Sequence, residues 1–252
     1  MIIRKINNIK FLCIIIVILF TYLFISKLYL KNIEGFELPS VPEYIISDIS
    51  VINLDRSKDR LIKMRKQVRK IKDVPAFRWS AVNGKEIPDT NIKRICNESC
   101  RDWTGEKRNR GQVGCYLSHK TLLKHLERLN VNPNAGHIIF EDDIVIDNNF
   151  LTKWKKIIPH IPSNWGIIYF DLQKNGEIKM NNVKNGIGDA VSGWGTHAYM
   201  VKHSRIPEIL SKVNVMYAPI DNMLQDNFRV LNAYILEENL VKITGEDGSV
   251  IG

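Results

Sequence analysis

Three consecutive carboxylates, Glu141-Asp142-Asp143, follow directly on the apolar run His137-Ile138-Ile139-Phe140. Acids set side by side raise one another's proton affinity unless solvent or a cation intervenes. A divalent ion bridging carboxylates and substrate phosphates is one arrangement that holds such a group together. In an extended segment alternate side chains share a face, so Glu141 and Asp143 form the natural pair. A solvated turn is the plain alternative for an isolated acidic triplet. Here a second apolar run, Ile144-Val145-Ile146, closes the far side and pins the acids to the end of a buried element.

The elements that must position these acids are legible as alternating apolar runs and helical periods. Residues 49–54 read as a buried strand, followed by Asp55-Arg56-Ser57, in which Ser57 is placed to cap a helix carrying Leu61, Met64, Val68 and Ile71 on one face. Residues 76–82 read as a second strand, ended by the turn Asn83-Gly84, and a polar, cationic loop is expected from 85 to 110. The next helix is expected from near Gly114, with Cys115, His119, Leu122, Leu126 and Leu129 along one stripe, broken by Asn132-Pro133-Asn134. Strands at 137–140, 166–170 and 197–201, a helix after Ser204 and a final segment at 234–243 complete the chain. Strands alternating with helices predict an α/β fold with a mixed, mostly parallel sheet flanked by helices. In such sheets ligands sit beyond the carboxyl ends of the strands, where the acidic triplet falls.

Composition excludes some classes. The 252 residues are 44% hydrophobic and 25% charged, ordinary values for a globular domain. The net charge of +9 is spread along the chain. Its densest run, 63–72, has Met64, Val68 and Ile71 at helical spacing between the cations, which describes a solvated helix face. No nucleic-acid motif accompanies it, and no nucleic-acid partner is expected. Residues 11–26 carry no charge, and about 24 Å of helix would result, lengthened if Lys27 snorkels and Tyr29 sits at the interface. The expected organisation is therefore a cytosolic tail at 1–10, a transmembrane signal-anchor at 11–30, a stem at 31–44 and a catalytic domain at 45–252, giving a single-pass protein of type II in an endomembrane. Cys96 and Cys100 are close enough to pair across a short loop or to remain thiols, and Asn97-Glu98-Ser99 is a glycosylation sequon.

Several separated stretches, taken in order, resemble glycosyltransferase family 25, which includes lipooligosaccharide and procollagen galactosyltransferases. They are Val51-Ile52-Asn53-Leu54-Asp55-Arg56 with Asp59-Arg60, Ala81-Val82-Asn83-Gly84, Gly114-Cys115-Tyr116-Leu117-Ser118-His119, Phe140-Glu141-Asp142-Asp143, Gly195-Thr196-His197-Ala198-Tyr199 and Pro219-Ile220-Asp221. The resemblance implies a GT-A-like fold, a nucleotide-sugar donor (UDP-galactose) and a divalent ion such as Mn2+. It implies metal binding by Glu141 and Asp143. The nucleotide sugar would be held by Asn53, Asp55, Arg56, Ala81, Asn83, Gly84, Ser118, Glu141 and Asp142. Asp221 is the candidate base toward an acceptor hydroxyl on a glycan, a lipid-linked saccharide or a protein. His119 reaches the sugar or phosphates or serves as a structural histidine, the latter being the default for a lone helical His. Two departures stand out. Gln112-Val113 replaces a family Glu before the Gly-Cys stretch, and 238–242 lacks the expected Pro and Gln. Transfer of glucose or another hexose, or a degenerate domain that only binds, are the alternative readings.

Overall fold

In the computed structural model, residues 46–96, 105–172 and 179–244 are described. Ten strands and six helices alternate along the described residues. In chain order they are β1 (Ile46–Asn53), α1 (Lys58–Val68), β2 (Ala76–Ser80), α2 (Asp89–Ile95), α3 (Gly105–Leu126), β3 (Gly136–Glu141), β4 (Ile144–Ile146) and α4 (Phe150–Ile157). There follow β5 (Ile167–Tyr169), β6 (Lys179–Lys184), β7 (Ile187–Ser192), β8 (Ala198–Lys202), α5 (Ile206–Lys212), α6 (Ile220–Gln225), β9 (Ala233–Leu236) and β10 (Val241–Ile243).

Eight strands form one sheet in the order β2-β1-β3-β8-β5-β9-β7-β6, and β10 and β4 form a small separate pair. β1 runs parallel to both β2 and β3, and β5 parallel to β9, whereas β8 and β7 run against their neighbours. The result is the expected α/β architecture with a large, mostly parallel sheet flanked by helices.

The central strands are buried at nearly every position and largely apolar because both faces are covered. Ile52, Ile139, Ile167, Tyr169, Tyr199 and Val201 pack on one side against Val113, Leu122 and Leu126 of α3 and Ile209 and Met223 of α5 and α6. The alternate residues Val51, Ile138, Phe140, Ile168, Phe170 and Met200 pack on the other against Met64 of α1 and Phe150 and Trp154 of α4. A period of two thus sorts one continuous run into two cores.

Some expected elements come out differently. The helix expected from Gly114 begins at Gly105, and the loop expected at 85–110 contains α2, which starts behind Pro88 and closes with Cys96 N–H on the Ile92 carbonyl. Proline presets a helical entry angle and gives up no bond there. The final segment is two strands rather than one element, with β10 leaving the main sheet to pair with β4. The hairpin of β6 and β7 turns on Asn185-Gly186, both with positive φ (53° and 87°), the backbone that an Asn-Gly turn supplies. Ser57 does stand at the N-terminus of α1, but its side chain makes no capping bond; its carbonyl instead accepts from Leu61 N (3.2 Å) and from the Asn53 amide (3.0 Å).

The single-pass membrane placement is corrected. Among the described residues no helix is long and apolar enough to cross a membrane, and the stretch 11–30 expected to do so lies outside them. Cys100 and the sequon at 97–99 also lie outside the described residues, while Cys96 is buried with its sulfur 3.5 Å from that of Met216.

Candidate functional site

Four strands deliver polar groups to one edge of the sheet. Asn53 ends β1 and Glu141 ends β3, side by side because those strands are parallel. β8 is reversed, so the residues preceding it arrive at the same edge, where the Glu141 amide donates to the His197 carbonyl (2.9 Å). Asp171 follows β5, whose neighbour Phe170 donates to the Ala198 carbonyl (3.0 Å). α3 and α6 bring Cys115, His119 and Asp221 from one face, and α1 brings Arg60 from the other.

The three acids of the triplet have different surroundings. Glu141 is buried, and its Oε1 accepts from the Thr196 hydroxyl (2.9 Å) and lies 3.2 Å from His119 Nε2. Burial works to raise its carboxyl, yet the bonds from His119 and Thr196 and the adjacent His119 and His197 rings hold it below the ordinary value. Asp142 takes the Asn53 amide at 2.6 Å and Arg60 Nη1 at 3.2 Å. Asp143 lies 3.7 Å from the same guanidinium through Oδ2, while its Oδ1 is buried and meets no hydrogen-bond partner among the described residues. Burial, then the charges of Glu141 and Asp142, push the Asp143 carboxyl up to about 6 against the partial relief of Arg60 and His197. A carboxylate oxygen left so is costly unless a cation meets it.

Behind Glu141, His119 Nδ1 is 2.9 Å from the Tyr199 hydroxyl, and Cys115 Sγ is 3.9 Å from Thr196 Oγ1. Burial and then the Glu141 charge raise the Cys115 thiol well above its usual range. His197 Nε2 stands 3.2 Å from Asp171 Oδ2, and Asn239 donates to the other Asp171 oxygen. Asp221 sits in the first turn of α6, and its two oxygens accept from the backbone N–H groups of Gly195 (3.2 Å) and Asn222 (3.0 Å). Its carboxyl is raised by burial, partly offset by those two donors.

The residues expected around a nucleotide divide into two groups. Asn53 is joined to the triplet, and Asp55 is exposed and paired with Arg78 and the Ser80 hydroxyl, which hold its carboxyl low; Arg56 is exposed beside it. Ala81, Asn83 and Gly84 lie against α3. The Ser118 hydroxyl is committed within the protein, donating to the Gly114 carbonyl (2.6 Å) and accepting from Val82 N (2.8 Å). A Cβ at Gly84 would stand 1.8 Å from the Arg110 carbonyl, so the loop and α3 approach as closely as backbones can. A cavity of about 690 Å³ opens there, lined by Ala81, Asn83, Ile87, Asn91, Arg94 and Leu117 among others. Asp171 and Asn239 were not expected from the sequence. Asp171 had a signal, since it ends an apolar run as Glu141 does; Asn239 had none, being brought in only by the fold.

An α/β domain that gathers acids at the carboxyl ends of parallel strands places them where open sheets of this class hold their ligands. The family model for glycosyltransferase family 25 (LPS biosynthesis protein) matches residues 46–224, and the chain belongs to that family. It is 22% identical over 202 residues to procollagen galactosyltransferase 1-A of Xenopus laevis, covering 73% of this chain and 32% of that protein. It is 21% identical over 187 residues to a probable inactive glycosyltransferase 25 family member 3 of Rattus norvegicus, covering 70% and 32%. With a glycosyltransferase 25 family member of Anopheles gambiae it shares 30% identity over 135 residues, covering 50% and 22%. The chain thus spans 32% of the length of the first two of these relatives.

Proposed function

We propose that this chain is a glycosyltransferase that moves a hexose, galactose from UDP-galactose, to a hydroxyl of a glycan or protein acceptor with the help of a divalent cation. The observation that carries this reading is the state of Asp143. Its buried, unpartnered Oδ1 and its raised carboxyl describe an oxygen ligand awaiting a hard cation. The donor set fits the ion: Glu141 and Asp143 are carboxylates separated by one residue, and Arg60 already offsets part of the charge of Asp143. A bound Mn2+ or similar ion would neutralise charge that builds on the departing diphosphate.

The chain's own groups supply the rest of the chemistry. Asn53 and Arg60 fix Asp142, which keeps the triplet at one height relative to the strand ends. His119 and Thr196 hold Glu141 ionised in a buried position. The cavity beside Ala81 and Asn83 has the volume of a small-molecule site and takes the nucleoside, while the roles of Gly84, Asp55, Arg56 and Asp142 toward the donor rest on the family resemblance. In this reading Ser118 acts by fixing that loop through Val82. Asp221 accepts the acceptor hydroxyl's proton, its raised carboxyl being a better base than an exposed aspartate.

The test is donor turnover by the purified chain with UDP-galactose, UDP-glucose and UDP-N-acetylglucosamine, with and without manganese, beside Asp143→Ala. Manganese-dependent turnover of UDP-galactose that disappears in the variant supports the reading. Turnover of another donor replaces galactose with that sugar. A folded chain that neither binds nor turns over any donor overturns it in favour of a degenerate domain; the rat relative is itself named a probable inactive family member.

A further inference from the structure

We infer that Cys115, His119 and Glu141 form a second, chemically distinct metal site, one for a zinc-class ion, which withdraws Glu141 from the hard-cation position and so inhibits the chain. The inhibitory consequence rests on the transferase reading above; the binding itself does not.

The observation is a convergence of three donors on Glu141's inner side, away from the hard-cation position, and the proposed reaction gives Cys115 no role and His119 no metal. Cys115 Sγ, a His119 ring nitrogen and a Glu141 carboxylate oxygen all lie within 4.8 Å of one another. Cys115 and His119 are four residues apart on α3, so both side chains leave the same face of the helix. Glu141 comes from the end of β3 opposite them. A tetrahedral zinc ion with nitrogen and oxygen bonds near 2.1 Å separates those two ligands by about 3.4 Å. His119 Nε2 and Glu141 Oε1 are already 3.2 Å apart. With all three ligand atoms within 4.8 Å of one another, the thiol has about an ångström to close, and three protein ligands with an open fourth position is a pattern zinc accepts.

The outer shell is also built for a ligand. The histidine ring is oriented by the Tyr199 hydroxyl at 2.9 Å on the nitrogen away from Glu141. A hydroxyl both donates and accepts, so it can serve either tautomer of the ring and leave Nε2 free to coordinate. Thr196 bonds the glutamate and approaches the thiol, bridging two of the three ligands. Cys115 as a residue is half-buried.

The two sites choose different ions by chemistry. Asp143 offers oxygen alone, suited to magnesium or manganese, whereas sulfur and imidazole favour zinc over manganese. Because Glu141 borders both, zinc bound behind it competes with assembly of the hard-cation site.

The probe is cobalt, which reports thiolate ligation through a near-ultraviolet charge-transfer band. Titrating the full chain is expected to raise that band to one equivalent. Cys115→Ser abolishes it, Asp143→Asn retains it, and Tyr199→Phe weakens binding by about tenfold. In the unaltered chain, which needs no folding control, zinc is expected to shield Cys115 from iodoacetamide, read by peptide mass. A missing band, a band that survives in Cys115→Ser, or undiminished alkylation with zinc present overturns the site. Zinc is further expected to inhibit manganese-supported donor turnover in the unaltered chain but not in Cys115→Ser, each compared with its own zinc-free rate. Inhibition that persists in the variant overturns the regulatory part. Absence of all turnover counts against the transferase reading alone, since the cobalt band does not depend on it.

Discussion

The side-chain amide of Asn53 donates to Asp142 across 2.6 Å, tying the end of β1 to the acidic triplet that follows β3. The same residue donates to the Ser57 carbonyl at 3.0 Å and accepts from Arg78 Nε at 2.9 Å, so its amide is fully engaged while 2% exposed. Asn53→Ala leaves Asp142 and Arg78 without this partner and is expected to cost about 1–3 kcal/mol in urea unfolding. Asn53→Asp keeps the shape but sets a second carboxylate against Asp142. It is expected to be the less stable variant at pH 7 and to recover toward Asn53→Ala as the pH is lowered from 7 to about 4. Equal stability of the two variants across that range would remove the charge argument.

The pH dependence of Asp143 has a definite sign. Its carboxyl lies near 3.8 in the unfolded chain and is raised to about 6 in the folded one. Between those values the folded state holds more protons, so stability falls as pH rises from about 4 to 6 and stays lower above it. The penalty is on the order of 2 kcal/mol for a group this buried. Asp143→Asn is expected to be more stable than the parent at pH 7 without metal, and the gain is expected to vanish at pH 4. Added manganese should stabilise the parent at pH 7 and not the variant, as read by thermal unfolding.

Much of this arrangement was legible because it is local. Apolar runs such as 137–140 mark strands buried on both faces, and the residue that ends each run falls at the sheet edge where ligands gather. Direction was not legible. A period of two sorts side chains between faces but says nothing about whether β8 runs with or against β3, and it is the reversal that brings Thr196 and His197 to Glu141. Contacts between distant segments were equally hidden. Asn239 reaches Asp171 over a separation of 68 residues, from a stretch whose composition reads only as a departure from the family pattern. The β6–β7 hairpin carried its signal in Asn185-Gly186 and went unread because its flanking strands are too polar to show an apolar alternation.

The contact between the loop after β2 and α3 predicts a steric result. An alanine Cβ at Gly114 would lie 2.7 Å from the Val82 carbonyl and 2.8 Å from Gly84 N. Within a helix the change from glycine gains roughly 0.5–1 kcal/mol of backbone entropy. Overpacking against rigid backbone costs about 1–3 kcal/mol, so the net effect is expected to be destabilising. Gly84→Ala, whose Cβ would meet the Arg110 carbonyl at 1.8 Å, is expected to be worse still. Both should weaken UDP binding more than manganese binding, because the displaced loop lines the cavity and not the triplet. Calorimetric titration of each ligand separates the two.

Asp221 offers the sharpest division between a chemical and an architectural role. In the first turn of α6 its oxygens accept from two backbone N–H groups, which a purely structural acid would also do. Asp221→Asn can satisfy only one of them with its carbonyl, at a stability cost of about 1 kcal/mol. If the carboxylate takes the acceptor's proton, kcat falls by about 10²–10⁴-fold while the KM for the donor changes little. The parent's rate should then rise with pH through a midpoint above the ordinary aspartate range, since burial raises this carboxyl, and the variant should lose that limb. A structural Asp221 gives a different pattern: a lower unfolding midpoint, a kcat within a few-fold of the parent and an unchanged pH profile. Steady-state kinetics from pH 5 to 8, run beside unfolding of the same two proteins, tells these outcomes apart.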